Sequence, residues 1–302
     1  MISRRVAFAL ALATLTLCPS GPVAAQDKVK ALASFSILGD LVRNVGGDRV
    51  DVSVLVGPNS DTHVYQPSPG DAKKVADVKL VVANGMGLEG WITRLVKASG
   101  SKAPLIVATK GIKPRQAAAS GHDHDHAGSD PHAWQSVANV KIYVANIRDA
   151  LVAADPSGKT AYEANAAAYL GKLDALDREV KDAVARIPAD RRKVITTHDA
   201  FGYFQQAYGI EFIAPQGVST ESEASARDVA KIITQIKRQK IPAVFMENIT
   251  DPRLIKRIAD ETGAKIGGTL YSDALTDDKG PAATYIDMMR HNIKALSVAL
   301  TS

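Results

Sequence analysis

The chain contains one cysteine among its 302 residues, Cys18, and this residue lies in an apolar N-terminal stretch. The stretch opens with the basic sequence MISRR, continues as VAFALALATLTLC and reaches small residues at Val23 and Ala25. This order is typical of a secretory signal peptide cleaved after residue 25. Leu17 precedes Cys18 where lipid-anchoring cysteines usually follow a small residue, so we expect no lipid anchor. The mature protein would then contain neither a disulfide nor a thiolate metal ligand.

Long apolar runs and basic clusters are also missing beyond the leader. No stretch of 18 apolar residues remains, which argues against membrane insertion. Loss of Arg4 and Arg5 lowers the net charge from +5 to +3, and no alternation of basic and aromatic residues suggests a nucleic-acid partner. We expect a periplasmic protein of about 275 residues, long enough for two domains, and a monomer.

Motifs of common enzymes are absent or out of place. No G-x-S-x-G sequence occurs, and the adjacent side chains of His198 and Asp199 point apart, so they form no dyad. Gly85-x-Gly87-x-x-Gly90 resembles a dinucleotide-binding sequence, but it follows the third predicted strand of its lobe rather than the first. We therefore interpret it as a tight turn between a strand and a helix.

Strand and helix patterns alternate in both halves of the chain. Strands are predicted at 29–34, 50–56, 79–84 and 104–109, with helices at 37–45, 71–78 and 88–96 between them. The second half repeats the order, with strands at 193–197, 210–214 and 242–247 and helices at 201–208 and 229–236. This alternation predicts an α/β fold with two doubly wound parallel-sheet lobes.

The sequence between the lobes is helical in pattern. Apolar residues recur at helical spacing from Val137 to Leu151 and again from Tyr169 to Ile187. A helix of about 30 residues would be roughly 45 Å long, enough to join the lobes as one long backbone helix. We accordingly divide the chain into a signal peptide (1–25), a first lobe (26–135, with a histidine-rich loop at 113–131), a helical segment (136–188) and a second lobe (189–302).

Four potential metal ligands follow predicted strands. His63 and His132 belong to the first lobe, and His198 and Asp273 to the second. Ligands of doubly wound folds gather beyond the carboxyl ends of the strands, so all four should face the cleft between the lobes. Three imidazoles and a carboxylate suit tetrahedral Zn²⁺.

The number of ligands bears on the kind of function. A zinc hydrolase usually keeps three protein ligands and an open position for water, whereas this set would close the coordination sphere. Four ligands therefore favour binding over catalysis, with a zinc-dependent hydrolase as the alternative from another class.

The chain resembles the ZnuA/TroA-type metal-binding proteins that serve bacterial ABC importers. The resemblance rests on the segments DTHVYQPSP, VVANGMGLEGW, SDPHAW, ITTHDAFGYFQQAYGI and LYSDALT. It implies two lobes joined by a long helix, metal held by His63, His132, His198 and Asp273, and delivery to a membrane permease with its cytoplasmic ATPase. It also implies that a histidine at 198 favours zinc, because manganese-type members carry glutamate there. Manganese or a broader divalent specificity remains the alternative. The residues QSV after Trp134 differ from the sequence that is more common in the family at this position.

Three further histidines, His122, His124 and His126, alternate with acidic residues in the segment GHDHDHAG. In an extended chain they would lie about 7 Å apart on one side, which suits transient zinc capture but not a rigid site. A solvated linker is the alternative. His291 lies off the apolar stripe of the last helix and is expected at the surface.

Overall fold

A computed structural model describes residues 27–117 and 128–301. The predicted signal peptide, Cys18 and the three histidines of the loop lie outside these residues. The described chain forms two α/β lobes, each built on a four-stranded sheet in which all paired strands are parallel. The predicted fold class is therefore confirmed.

The first lobe contains four strands and three helices in alternation. In chain order these are β1 (Val29–Phe35), α1 (Ser36–Gly46), β2 (Val50–Val56), α2 (Pro69–Ala76), β3 (Leu80–Ala83), α3 (Ile92–Ser99) and β4 (Leu105–Val107). The strand order across the sheet is β2-β1-β3-β4. β1 and β3 are almost entirely buried, as expected for central strands covered on both faces.

The second lobe repeats this arrangement. Its elements are β5 (Lys193–Ile195), α6 (Gly202–Tyr208), β6 (Glu211–Ile213), α7 (Ala226–Gln239), β7 (Ala243–Glu247), α8 (Arg253–Thr262), β8 (Lys265–Leu270) and α9 (Tyr285–Thr301), and the strand order is β6-β5-β7-β8. α8 was not among the predicted helices. The two sheets therefore share one topology.

Two helices lie between the sheets, α4 (Val137–Ala154) and α5 (Lys159–Ala185). The 27-residue α5 packs against α1 and α4 and also against α6 and α9 of the second lobe, so it joins the lobes as predicted. Its buried face contains Tyr162, Tyr169, Leu173, Leu176 and Val180. One apolar core runs from the first sheet through α5 to α9, and a smaller one lies between β5, β7, α7 and α8.

Local chemistry explains where two helices of the first lobe differ from their predicted limits. Helix α2 starts at Pro69, before the predicted position 71, because Ser68 and Asp71 form a reciprocal capping box and proline suits the first helical turn. Helix α3 starts at Ile92 rather than at 88, because the preceding residues form a turn around the side chain of Glu89.

The expectation for His291 was wrong. Its side chain is half-buried, with Nε2 3.0 Å from the carbonyl oxygen of Thr269 and its ring against Tyr271. Helix α9 packs on β8, so positions beside its apolar stripe are also covered. Within residues 27–117 and 128–301, no helix has the length and hydropathy needed to cross a membrane.

Candidate metal site

Four side chains of the predicted site meet in the cleft between the lobes. His63 lies in the loop after β2, His132 in the segment that precedes α4, His198 just beyond β5 and Asp273 just beyond β8. His198 and Asp273 lie three residues after the carboxyl end of a strand, and His63 lies in a loop that starts at such an end, where ligands collect in folds of this type. His63 retains 8% of its accessible surface, while the other three residues retain none.

The ligand atoms of these residues converge. One nitrogen or oxygen from each lies within 4.8 Å of the corresponding atom of every other. Nε2 of His63 is 3.3 Å from Nε2 of His132 and 3.2 Å from Oδ2 of Asp273, which is also 3.2 Å from Nε2 of His198. Oδ1 of Asp273 is 3.5 Å from Nε2 of His132.

These separations match the size of a tetrahedral zinc site. Ligands about 2.0–2.1 Å from a central Zn²⁺ would be roughly 3.3–3.4 Å apart. Four of the six pairs of these residues have separations of 3.2 to 3.5 Å, close to this value, and all six pairs lie within 4.8 Å. Oδ1 of the buried Asp273 has no hydrogen-bond partner among the described residues, which is consistent with a place for a cation.

A buried carboxylate orients His132 from behind. Oδ1 of Asp130 lies 2.8 Å from Nδ1 of His132 and accepts the backbone N–H of the same residue at 2.9 Å. Asp130 is fully buried, and its Oδ2 accepts from Nη1 of Arg115 at 2.8 Å. Because Nδ1 of His132 faces Asp130, Nε2 faces the cleft and is available to bind a metal ion.

A second buried carboxylate orients His198. Oε2 of Glu247, at the end of β7, lies 2.6 Å from Nδ1 of His198. Its Oε1 accepts the backbone N–H groups of Thr197 at 2.8 Å and His198 at 3.0 Å. Neither Asp130 nor Glu247 was predicted from the sequence. The signals were an acidic residue two positions before His132 and another at the end of a predicted strand.

The carboxylates favour the protonated forms of the neighbouring histidines. Burial alone would lower the pKa of His132, but Asp273 and Asp130 outweigh it and raise that pKa to about 9. The pKa of His198 rises well above its usual value, since Glu247 and Asp273 outweigh the same burial effect. Burial would raise the pKa of Asp273, yet His132 and His198 hold it well below its usual range.

The loops that carry the ligands are tied together across the cleft. In the buried, inner part, Trp134 Nε1 and Gln135 Nε2 both donate to the carbonyl oxygen of Ser272 at 2.8 Å, next to Asp273. At the outer edge, Thr220 Oγ1 donates to Oδ2 of Asp61 at 2.6 Å, and Oδ1 of Asp61 accepts from the backbone N–H of His63 at 2.8 Å. The inner tie is buried, whereas the outer tie is partly exposed.

The glycine-rich turn has no room for a dinucleotide. The buried carboxylate of Glu89 accepts the backbone N–H groups of Asn84 at 2.7 Å and Gly85 at 3.1 Å, as well as the Ser34 hydroxyl at 2.5 Å. Gly85 and Gly87 have φ angles of 86° and 87°, which favour glycine. The turn thus binds its own carboxylate where a phosphate would otherwise lie, in agreement with the predicted tight turn.

A cavity of about 930 Å³ opens beside the site. His63 is the one member of the cluster that lines it, with Tyr65, Met86 and Trp91 on one wall and Glu221 on another. His63 is also the ligand that keeps some exposure, so this cavity is the side from which solvent comes nearest to the cluster.

Two parallel-sheet lobes around a buried set of metal-ligating side chains define a metal-binding protein of the two-lobe, substrate-binding class, and comparison with known proteins gives the family. A family model described as "Zinc-uptake complex component A periplasmic", ZnuA, matches residues 32–299. The chain belongs to this family, whose members are transport proteins that bind a substrate and are not enzymes.

Individual relatives differ in the metal that their names give. The chain is 35% identical to the iron-binding protein YfeA of Yersinia pestis, covering 97% of this chain and 93% of that protein. It is 31% identical to the manganese ABC transporter substrate-binding lipoprotein PsaA of Streptococcus anginosus, over 97% and 96% of the two chains. The solved structure of the periplasmic zinc-binding protein TroA of Treponema pallidum has a TM-score of 0.84 and 31% identity, with 90% and 99% covered.

Proposed function

We propose that the protein is a periplasmic zinc carrier that captures Zn²⁺ between its lobes and delivers it to an ABC permease with its ATPase. The observation that carries the proposal is the buried cluster of three imidazole nitrogens and one carboxylate, whose ligand atoms all lie within 4.8 Å of one another. Imidazole-rich sites suit zinc, and zinc binds a given nitrogen and oxygen site more tightly than manganese or iron(II) does. His63, His132, His198 and Asp273 are the proposed ligands.

The permease as partner is supported by a relative named as an ABC transporter substrate-binding lipoprotein. In this proposal the chain is exported through a signal peptide cleaved after residue 25 and acts as a monomer. Mass spectrometry of the mature N-terminus tests this cleavage. A chain that begins with a lipid-modified Cys18 would show instead that the protein is a membrane-anchored lipoprotein.

A second candidate is a manganese, iron or broad divalent carrier. The names of two relatives favour it. The geometry of Asp273 also supports this candidate, because both of its oxygens face histidine nitrogens. A carboxylate that binds the ion through both oxygens would raise the coordination number. Oxygen-rich coordination suits manganese better than zinc.

Metal analysis and competition titration decide between the two candidates. We expect the purified mature protein to bind one Zn²⁺ per chain, and an equimolar mixture of Zn²⁺ and Mn²⁺ to load it with zinc. Manganese retained against equimolar zinc would overturn the zinc assignment in favour of the second candidate. Failure to bind either ion would overturn both.

The auxiliary role of His122, His124 and His126 remains part of the proposal. Capture of zinc by this segment would speed loading at low metal concentration without adding a tight site. Replacing all three with alanine should keep one tight Zn²⁺ per chain and slow association in stopped-flow measurements. Loss of the tight site would show that the segment supplies a ligand.

A further inference from the structure

Arg115 lies at the base of the segment that leads from the first sheet to His132. Its carbonyl oxygen accepts the backbone N–H of Asp130 at 2.8 Å, and the next residues, Gln116 and Ser129, form an antiparallel bridge. These contacts place Arg115 and Asp130 side by side, although 15 positions separate them in the sequence.

The two oxygens of Asp130 have different partners. Oδ1 contacts Nδ1 and the backbone N–H of His132, whereas Oδ2 contacts Nη1 of Arg115 at 2.8 Å. Asp130 is fully buried, and the Arg115 side chain is 25% exposed. Among the described residues, Arg115 is the only hydrogen-bond partner of Oδ2. Without it, a buried carboxylate oxygen would lose its partner and the group could rotate away from His132.

The second lobe holds Arg115 in place. A Cβ at Gly202, the first residue of α6, would collide with the guanidinium group, so the absence of a side chain there makes room for it. The backbone N–H of Arg115 also donates to the hydroxyl of Tyr203 at 2.9 Å. Arg115 therefore lies between the support of His132 and the helix that begins four residues after His198.

Glu247 shows that the second lobe needs no such cation. Oε1 of Glu247 accepts two backbone N–H groups, and Oε2 lies 2.6 Å from Nδ1 of His198, which is an ion-pair distance. Within the described residues, neither lysine nor arginine forms an ion pair with it. The requirement for a cation is therefore specific to Asp130, whose second oxygen no backbone group reaches.

We propose that Arg115 is a positioning residue for metal binding, which holds the Asp130 carboxylate so that Nε2 of His132 is directed into the cluster, and that Gly202 provides the space for its guanidinium group. This inference rests on the proposed function, because it assumes that the cluster binds a metal. Arg115 forms no hydrogen bond or ion pair with any of the four proposed ligands, so its effect on His132 passes through Asp130.

The test compares zinc affinity in a set of variants of the mature protein. R115Q, which removes the charge but keeps much of the volume, should weaken Zn²⁺ binding about tenfold, the lower limit for direct partners of metal ligands, because Arg115 acts one step further out. G202A should weaken binding to a similar extent by displacing the guanidinium group, and the double variant R115Q/G202A should be no weaker than R115Q. R115K should recover most of the affinity, since an ammonium group can pair with Oδ2.

Two matched controls separate positioning from general destabilisation. R49Q removes another interelement Arg–Asp pair, with Asp155 at 2.8 Å and similar exposure, far from the cluster. G171A adds a methyl group on α5 where no other group lies within 4 Å. Both should bind zinc as the wild type does, whatever their thermal midpoints.

Each other result has a defined meaning. Wild-type affinity in R115Q, failure of R115K to recover affinity, or an equal loss in R49Q would overturn the role of Arg115. Wild-type affinity in G202A would overturn the role of Gly202. If the wild type itself bound neither Zn²⁺ nor Mn²⁺, the proposed function would fail and this inference with it, whereas tight wild-type binding with unchanged R115Q would remove this inference alone.

Discussion

The two lobes contribute equally to the cluster but support their ligands differently. Each supplies two side chains, and in each a buried carboxylate contacts both the backbone N–H and Nδ1 of one histidine. In the first lobe this carboxylate is Asp130, two residues before its histidine and paired with Arg115. In the second it is Glu247, which belongs to the neighbouring strand β7 and spans to Thr197. The first lobe thus orients its histidine with a carboxylate in a local turn and a cation, whereas the second lobe uses a carboxylate from the adjacent strand.

We expect the largest loss of Zn²⁺ affinity when one lobe loses one of its two proposed ligands. His198→Ala leaves the second lobe with Asp273 alone, and we expect Zn²⁺ affinity to fall by more than about 100-fold, beyond the range for outer partners. Isothermal titration or a chelator competition measures this.

His291→Ala is the matched control in the same lobe. His291 is half-buried and hydrogen-bonded to Thr269, so its loss should lower the thermal midpoint without changing zinc affinity. Equal losses of affinity in the two variants would contradict the assignment of His198 as a ligand.

The carboxylate behind His198 should matter somewhat less than the histidine. Glu247→Gln keeps the shape but presents an amide to Nδ1, so the ring loses a charged acceptor, and we expect a 10–100-fold weaker affinity. Glu179→Gln, which affects an exposed pair with Arg290, is the control and should bind normally. An unchanged affinity in Glu247→Gln would show that the second lobe orients its ligand by other means.

The pH dependence should reveal the protons that the carboxylates stabilise. With its pKa raised to about 9, His132 carries a proton at neutral pH, and so does His198, whose pKa is also raised, so a metal ion must displace both protons. Affinity should rise at least tenfold from pH 7 to pH 8, and the rise should become less steep above about pH 9, where His132 loses its proton. An affinity that is already constant above pH 7 would contradict the raised pKa.

The same shift predicts the stability of the metal-free protein. A histidine whose pKa is higher in the folded state stabilises that state below the unfolded value of about 6.5, and this contribution is lost as the pH rises through about 9. The metal-free free energy of unfolding should therefore fall between these values while zinc affinity increases. Denaturant titrations at pH 6.5 and pH 9 measure the two trends.

Much of the fold followed from the order of strand and helix patterns. Parallel lobes were predicted because buried runs such as 79–84 alternate with helical stripes, and long-range packing did not alter that order. The limits of α2 and α3 were less accurate, since Ser68 and Glu89 act through side-chain hydrogen bonds that apolar periodicity does not show. Helix α8 was missed although it packs against α7, β7 and β8.

The convergence of the four proposed ligands could be predicted because each lies after a strand, or in the loop that follows one, in a repeated architecture. Asp130 and Glu247 could not be assigned in the same way, because acidic residues are common and their role depends on burial and on the direction of one imidazole ring. The role of Arg115 could not be predicted from the sequence. The Gln116–Ser129 bridge brings Asp130 beside it, and Gly202 of the other lobe leaves room for its guanidinium group.

The outer tie between the lobes should have the smallest effect. Thr220→Val removes the hydroxyl that donates to Asp61 across the cleft, in a partly exposed position. We expect a few-fold faster release of zinc with little change in stability, because one exposed hydrogen bond contributes about 1 kcal/mol or less. Thr234→Val on α7, whose hydroxyl bonds within its own helix, is the control. Slower release would contradict a closing role for this contact.

The most direct test of the central claim is X-ray absorption spectroscopy of the zinc-loaded mature protein. One Zn²⁺ held by both lobes should show four nitrogen or oxygen neighbours at about 2.0–2.1 Å, with outer scattering from three imidazoles. His63→Ala, His132→Ala and His198→Ala should each remove one imidazole contribution at saturating zinc. A spectrum with fewer imidazoles in the wild type, or one that these substitutions leave unchanged, would contradict a site shared between the two lobes.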